Sequence, residues 1–287
     1  MKKQLPTIFF ALVFITGLSL FIYPTLSNFW NGRVNDSLIG GYEQEMENLD
    51  SSIRLEAMKD AKRYNKNMYN KAKLSRMGLT YENVLNVKND GIMGYIEIPK
   101  ISVSLVIYHG IDDGLLQNGI GHVKSSTLPV GGKGTHSVLA GHTGLPSAKL
   151  LTNLDQLTLG DRFYIHVLDE VLQYRVNDIS VVEPDEISKL QIRKNKDYVT
   201  LVTCTPYGVN SHRLLVRGTR VKENELVYQG AMLQVANDVL HINPIYLIPI
   251  GLIVLALCIW IIRTIRKIWV KKKGRSVHEE GEKNETE

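Results

Sequence analysis

The spacing of hydrophobic residues changes character along the chain. Residues 5–27 are uncharged and almost continuously apolar. As a helix, these 23 residues would reach about 34 Å at ~1.5 Å per residue, enough to cross ~30 Å of hydrocarbon. A second uncharged run of similar length covers residues 242–262. Between 41 and 76 the apolar side chains Tyr42, Met46, Leu49, Ile53, Ala57, Ala61, Tyr64 and Met68 recur three and four apart, with polar residues elsewhere and no proline. That spacing predicts a helix laid on a core. From Gly94 onward the texture becomes short segments rich in Val, Ile, Tyr and Thr, bounded by Gly, Pro, Asp or Asn. They predict strands over 94–98, 102–108, 135–140, 162–168, 172–177, 179–183, 198–203 and 214–221, with a tight hairpin at Asp169-Glu170. Short helices are expected over 147–154 and 184–190. Strands without regularly alternating helices point to a mostly β protein with added helices, an antiparallel or mixed closed barrel.

Charge assigns a topology to the two apolar runs. Lys2 and Lys3 precede the first, and Arg263, Arg266, Lys267, Lys271, Lys272, Lys273 and Arg275 crowd behind the second. The positive-inside bias puts both ends in the cytoplasm and residues 31–240 outside. A cleaved signal peptide would also begin with Lys2-Lys3 and an apolar core, but the length of the run and the lack of a small-x-small site favour an uncleaved anchor. The expected organisation is an anchor at 1–30, a helical region with its linker at 31–93, a β domain at 94–240, a transmembrane helix at 241–262 and a basic tail at 263–287. The formal charge of +5 belongs to the ends, because residues 31–241 carry equal numbers of acidic and basic side chains. That balance argues against a nucleic-acid-binding domain.

There are two cysteines, Cys204 and Cys258. Cys258 falls in the second apolar run and reads as a small apolar residue. The exterior domain therefore holds a single thiol and no internal disulfide. Cys204 ends a strand-like run and is followed by Pro206 and Gly208, so the backbone before it is fixed while the turn after it opens the side chain to solvent. A packed, inert cysteine fits the local sequence equally well. A thiol with a pKa near 8.5 needs a base or a cationic partner to react at neutral pH. Among the histidines outside the membrane, His142 lies between glycines in Gly141-His142-Thr143-Gly144, directly after a predicted strand, whereas His166 reads as a half-exposed strand residue. Period two puts Arg213, Leu215 and Arg217 on one strand face and His212 on the other. A guanidinium facing the thiol would hold a carbonyl or an oxyanion.

Three stretches, taken in order, resemble a known family. Thr200-Leu201-Val202-Thr203-Cys204 is similar to the TLxTC signature of sortases, Ala140-Gly141-His142-Thr143-Gly144 to the loop with their essential histidine, and residues 210–218 (NSHRLLVRG) to the strand opening with their essential arginine. Gly94-Tyr95-Ile96-Glu97-Ile98-Pro99-Lys100-Ile101, Leu128-Pro129-Val130-Gly131-Gly132 and Thr205-Pro206-Tyr207-Gly208 fit as well. The resemblance extends over roughly 94–221 and is strongest to class C, the pilin-polymerising sortases of Gram-positive bacteria, which also have a C-terminal membrane anchor.

This resemblance implies an eight-stranded sortase barrel, preceded by a helix and flanked by two transmembrane helices. It also implies a site of Cys204, His142 and Arg213, without metal or organic cofactor. The implied substrate is an LPxTG-like sorting signal on a pilin, and the acceptor a lysine of another pilin. Many class C sortases carry an Asp-Pro-aromatic lid motif over the cysteine. Here no proline occurs between Pro24 and Pro99, so the site is expected to be open or covered by another part of 74–89. A wall-attaching housekeeping sortase, a hydrolytic cysteine protease and a non-catalytic membrane-anchored scaffold are the competing readings.

Overall fold

The computed structural model describes residues 5–221 together with Arg263 and Arg266. The expected second apolar span at 242–262 lies outside the described residues. The chain forms two units, Pro24–Val239 and a second made of Met1–Tyr23 with Leu240–Glu287. Among the described residues one helix is long and apolar enough to cross a membrane.

The single helix expected over 41–76 is instead three. Helix α1 (Leu5–Asn48) runs without a break from the apolar segment into a packing stripe of Asn35, Ile39, Tyr42 and Met46. It stops where Asp50 takes the N-cap position of α2 (Ser51–Asn67), its side chain accepting from Ser52 N at 2.7 Å. The Arg54 guanidinium closes the end of α1 by donating to the carbonyls of Met46 and Leu49. This break resets the helical phase. Ile53, expected on the buried stripe, is 50% exposed, while Met58, Ala61 and Tyr64 face inward. A short α3 (Lys71–Arg76) follows, capped by Asn70.

The strands are β1 (Ile92–Ile98), β2 (Val103–His109), β3 (Ile120–His122), β4 (Thr135–Ala140), β5 (Arg162–Val167), β6 (Glu170–Val182), β7 (Asp197–Thr205) and β8 (His212–Arg220), with a one-turn helix α4 (Asp113–Leu116) before β3. They close into a barrel in the order β1-β2-β3-β4-β7-β8-β6-β5. The β2/β3 and β4/β7 pairs are parallel and the others antiparallel. β3 was not anticipated, being three residues long and centred on a glycine. The two strands expected at 172–177 and 179–183 are one, with a bulge between Val176 and Asp178 that absorbs Asn177. In place of the helices expected at 147–154 and 184–190 there are only 3-10 turns, Leu154–Gln156 and Ser188–Leu190. The leucines 150, 151 and 154 reach the core from a loop, so their spacing needs no helix.

Side chains fill the barrel. Phe163 and Tyr174 stack with centroids 5.5 Å apart, and a Cβ on Gly218 would lie 2.6 Å from the Phe163 ring, so only glycine fits there. β1 is buried on both faces because α1 covers the outer one: Tyr42 meets Tyr95 edge-on, and Tyr95 donates to Glu43 at 2.5 Å. The same cover buries His166, expected to be half-exposed. It stacks on Tyr95 and lies 2.9 Å from Glu97, the histidine being 6% and the glutamate 7% exposed.

The pairing directions define two rims. One carries the C-terminal ends of β4 and β7 and the N-terminal end of β8; the other carries the opposite ends of those strands and the C-terminal ends of β2 and β3. Within residues 74–89, Tyr81, Glu82 and Val84 are tied to the C-terminal ends of β2 and β3 and the residues just after them. Tyr81 Oη lies 2.9 Å from His122 O and 3.0 Å from His122 Nδ1, and accepts from Gly110 N at 2.9 Å. Nearby, His109 Nε2 is 2.8 Å from Val84 O, and Lys124 pairs with Glu82.

Candidate active site

Cys204 lies in the last turn of the β7 ladder and is directly paired with Arg213 on antiparallel β8. Paired residues project to the same face of a sheet. Leu201 and Thr203 alternate with Cys204 and are buried, so the thiol and the guanidinium share the side turned away from the barrel core. Thr200 pairs with Arg217 and Val202 with Leu215, which puts the row Arg213, Leu215, Arg217 on the face of Cys204. His212 lies on the other face, opposite Thr205, and its Nε2 is 3.2 Å from Glu183.

The parallel β4/β7 pair brings in the histidine. Ala140 is in register with Val202, and the ladder continues one bond further, from Gly141 N to Val202 O at 3.0 Å. Thr203 Oγ1 then donates to Gly141 O at 2.8 Å. Two residues beyond Ala140 is His142, and two beyond Val202 is Cys204. The register of β4, β7 and β8 therefore pairs Cys204 with Arg213 and brings the end of β4, two residues before His142, beside Val202, two residues before Cys204. His142, Cys204 and Arg213 are all half-buried.

The loop after Cys204 is tightly turned. The Thr205-Pro206 peptide is cis, Val209 N and Asn210 N both donate to Pro206 O, and Gly208 and Asn210 have positive φ. Arg213 Nη1 donates to Asn210 O at 3.2 Å and to His212 O at 3.0 Å. Those bonds orient the guanidinium through one nitrogen of a group with five N–H donors. Tyr207, 68% exposed, extends from this loop over Gly144, where a Cβ would lie 3.1 Å from its ring. Tyr207 appeared in the sequence only as part of a motif. Its contact joins the cysteine loop to the histidine loop.

Among the described residues, the other histidines have structural partners. His122 is fully buried, its Nε2 2.8 Å from Thr127 O, and desolvation pushes its pKa down to about 4. His136 Nε2 is 2.7 Å from Thr200 Oγ1, and burial lowers its pKa too. Among the described residues, no group of three or more His, Cys, Asp or Glu could hold a metal ion.

A closed mixed barrel pairs a half-buried thiol with a guanidinium, and the loop of His142 leaves the strand next to that of the thiol. The sortase domain family matches residues 96–221. Sortase C1 from Streptococcus agalactiae is 44% identical, covering 66% of this chain and 100% of its own, with a TM-score of 0.60. Streptococcus pneumoniae sortase C is 39% identical over 65% of this chain and 97% of its own, at a TM-score of 0.59. Clostridium perfringens sortase C, solved with the C-terminal cell wall sorting motif, is 42% identical over 65% and 99%, at a TM-score of 0.57. The chain belongs to the sortase family of cysteine transpeptidases, with class C sortases among its near structural relatives.

Proposed function

We propose that this protein is a membrane-anchored class C sortase that polymerises pilins through Cys204, His142 and Arg213. The observation that carries the reading is the register: Cys204 is paired directly with Arg213, and the β4/β7 ladder runs on toward His142. The Cys204 thiolate attacks the Thr carbonyl of an LPxTG-like signal. Arg213 donates to the oxygen as charge collects on it. The tetrahedral adduct collapses with cleavage of the Thr–Gly bond, and the His142 imidazolium gives its proton to the leaving amine. A lysine amine of a second pilin then attacks the thioester, yields a proton to His142 and leaves an isopeptide bond, regenerating the thiolate. The sorting motif solved with the Clostridium perfringens enzyme supports this substrate class, and the named pilin specificity of the pneumococcal enzyme supports the pilin.

The apolar N-terminal part of α1 supports an anchor, and the basic cluster after residue 262 supports a second span with both ends in the cytoplasm. The ties of Tyr81 and Val84 to His122, Gly110 and His109 support a thiol without the usual lid. The test uses the full chain in lipid nanodiscs with a pilin bearing an LPxTG-like signal. Intact-mass analysis should show an acyl adduct on Cys204, and gels should show an isopeptide-linked ladder. Cys204→Ala should abolish both; a ladder that survives the substitution rules the mechanism out.

A further inference from the structure

The His142 loop carries no regular structure from Gly141 to Lys149, so its backbone groups must find partners outside any ladder. Its base is well held: Leu151 N donates to His142 O at 3.2 Å, Gly144 N to Thr152 Oγ1 at 3.1 Å, and Leu151 is fully buried. Its outer part depends on helix α1. Ser27 Oγ donates to Ser147 O at 2.8 Å, the Asn31 amide donates to the same carbonyl, and Lys149 N donates to Asn28 Oδ1 at 2.8 Å. Three half-buried side chains from little more than one helical turn thus hold two backbone groups of the loop. Elsewhere α1 is docked independently. Asn35 Nδ2 donates to Asn118 O at 2.7 Å, and Tyr42 Oη accepts from Leu168 N at 2.7 Å.

We infer that Ser27, Asn28 and Asn31 are positioning residues: α1 acts as a strut that fixes the loop of His142 against Cys204. This rests on the reading of His142 as the proton-transferring group. A loop without ladder bonds opens at low free-energy cost, and side-chain ties to its backbone remove that freedom. A displaced catalytic group is expensive, since a misplacement of ~1 Å costs about a hundredfold in rate. Ser27 is also the last residue of the apolar run, so the strut begins where the proposed anchor ends.

The two asparagines use opposite ends of their amides, which gives a selective test. Asn31 donates to a carbonyl, so Asn31→Asp removes the donor and sets a carboxylate against an oxygen. Asn28 accepts from an N–H, so Asn28→Asp keeps the bond. In full-length protein in nanodiscs, Asn31→Asp and Asn31→Ala should lower kcat on the order of tenfold with KM nearly unchanged. The same variants should speed amide hydrogen exchange across residues 141–149, as the loop loses its tie to α1. Asn28→Asp should match the wild type, and the melting temperature should be preserved in all three. Equal effects of the two Asp substitutions, or a lowered melting temperature with unchanged exchange across residues 141–149, would overturn the strut. His142→Ala separates the two levels: an inactive His142→Ala beside a fully active Asn31→Asp removes only the strut, whereas an active His142→Ala removes the site reading beneath it.

Discussion

The ring of Tyr207 lies on Gly144, so the loop that follows Cys204 touches the loop that follows His142. Gly144 has φ +75°, and a Cβ there would stand 3.1 Å from the ring. Gly144→Ala combines backbone strain with that contact, and a loss of about 1–3 kcal/mol is expected. Peptide cleavage should fall more steeply than stability, because the strain is released by moving the loop. Tyr207→Ala removes an exposed ring and should change stability by less than about 0.5 kcal/mol while still lowering the cleavage rate. Steady-state kinetics beside thermal melts checks both.

Arg213 should not be replaceable by lysine. Its guanidinium is oriented by Asn210 O and His212 O through one nitrogen, and an ammonium keeps the charge but not the planar fork. Arg213→Lys and Arg213→Ala are both expected to lower kcat/KM by about 10²–10³. Arg217→Lys, two residues along the same face, should cost far less. The comparison is a cleavage assay on an LPxTG-type peptide.

Acid should weaken the fold through His122. Its pKa is about 4 in the folded protein, against an ordinary 6.5, so the unfolded chain binds more protons between those values. Stability therefore rises with pH across that window: the contribution is present above pH 6.5 and lost as pH falls toward 4. The loss is on the order of 3 kcal/mol. His136, also lowered by burial, acts with the same sign. Urea unfolding at a series of pH values should show the slope, and His122→Gln should flatten most of it. An unchanged slope in that variant would assign the effect elsewhere.

Tyr81→Phe should loosen the ends of β2 and β3 and leave the thiol unaffected. The lost hydroxyl serves His122 and Gly110, so a destabilisation of about 1–3 kcal/mol is expected. Alkylation of Cys204 should proceed at the wild-type rate. Faster labelling would mean that residues 74–89 reach the thiol after all.

The sequence revealed the parts of the site that depend on local order. A strand stopped by Pro206 and Gly208 announced the position of Cys204, and period two assigned Arg213 and His212 to opposite faces. The pairing of Cys204 with Arg213 follows from the hairpin that joins β7 and β8. The placement of the His142 loop beside β7 rests on a parallel pairing between residues 62 apart, Ala140 and Val202, which no local pattern encodes. β3 was too short to carry a period. His166 looked half-exposed because β5 alternates, yet α1 covers that face. Ser27, Asn28 and Asn31 read only as polar residues behind an apolar run, since side chains that bond to a distant loop resemble those that bond to water.

Closure of the barrel has a further consequence for recognition. Every strand is hydrogen-bonded on both sides, β5 returning to β1, so the sheet has no free edge. Strand addition, in which backbone bonds give affinity, is therefore limited to the stretches of β2 and β4 that the short β3 leaves unpaired. Elsewhere the grip on an extended peptide must come from loops and from side chains standing on the outer face. On the proposed function, exchanging the loops at the Cys204 rim should retarget the enzyme without disturbing the ladder that pairs Cys204 with Arg213.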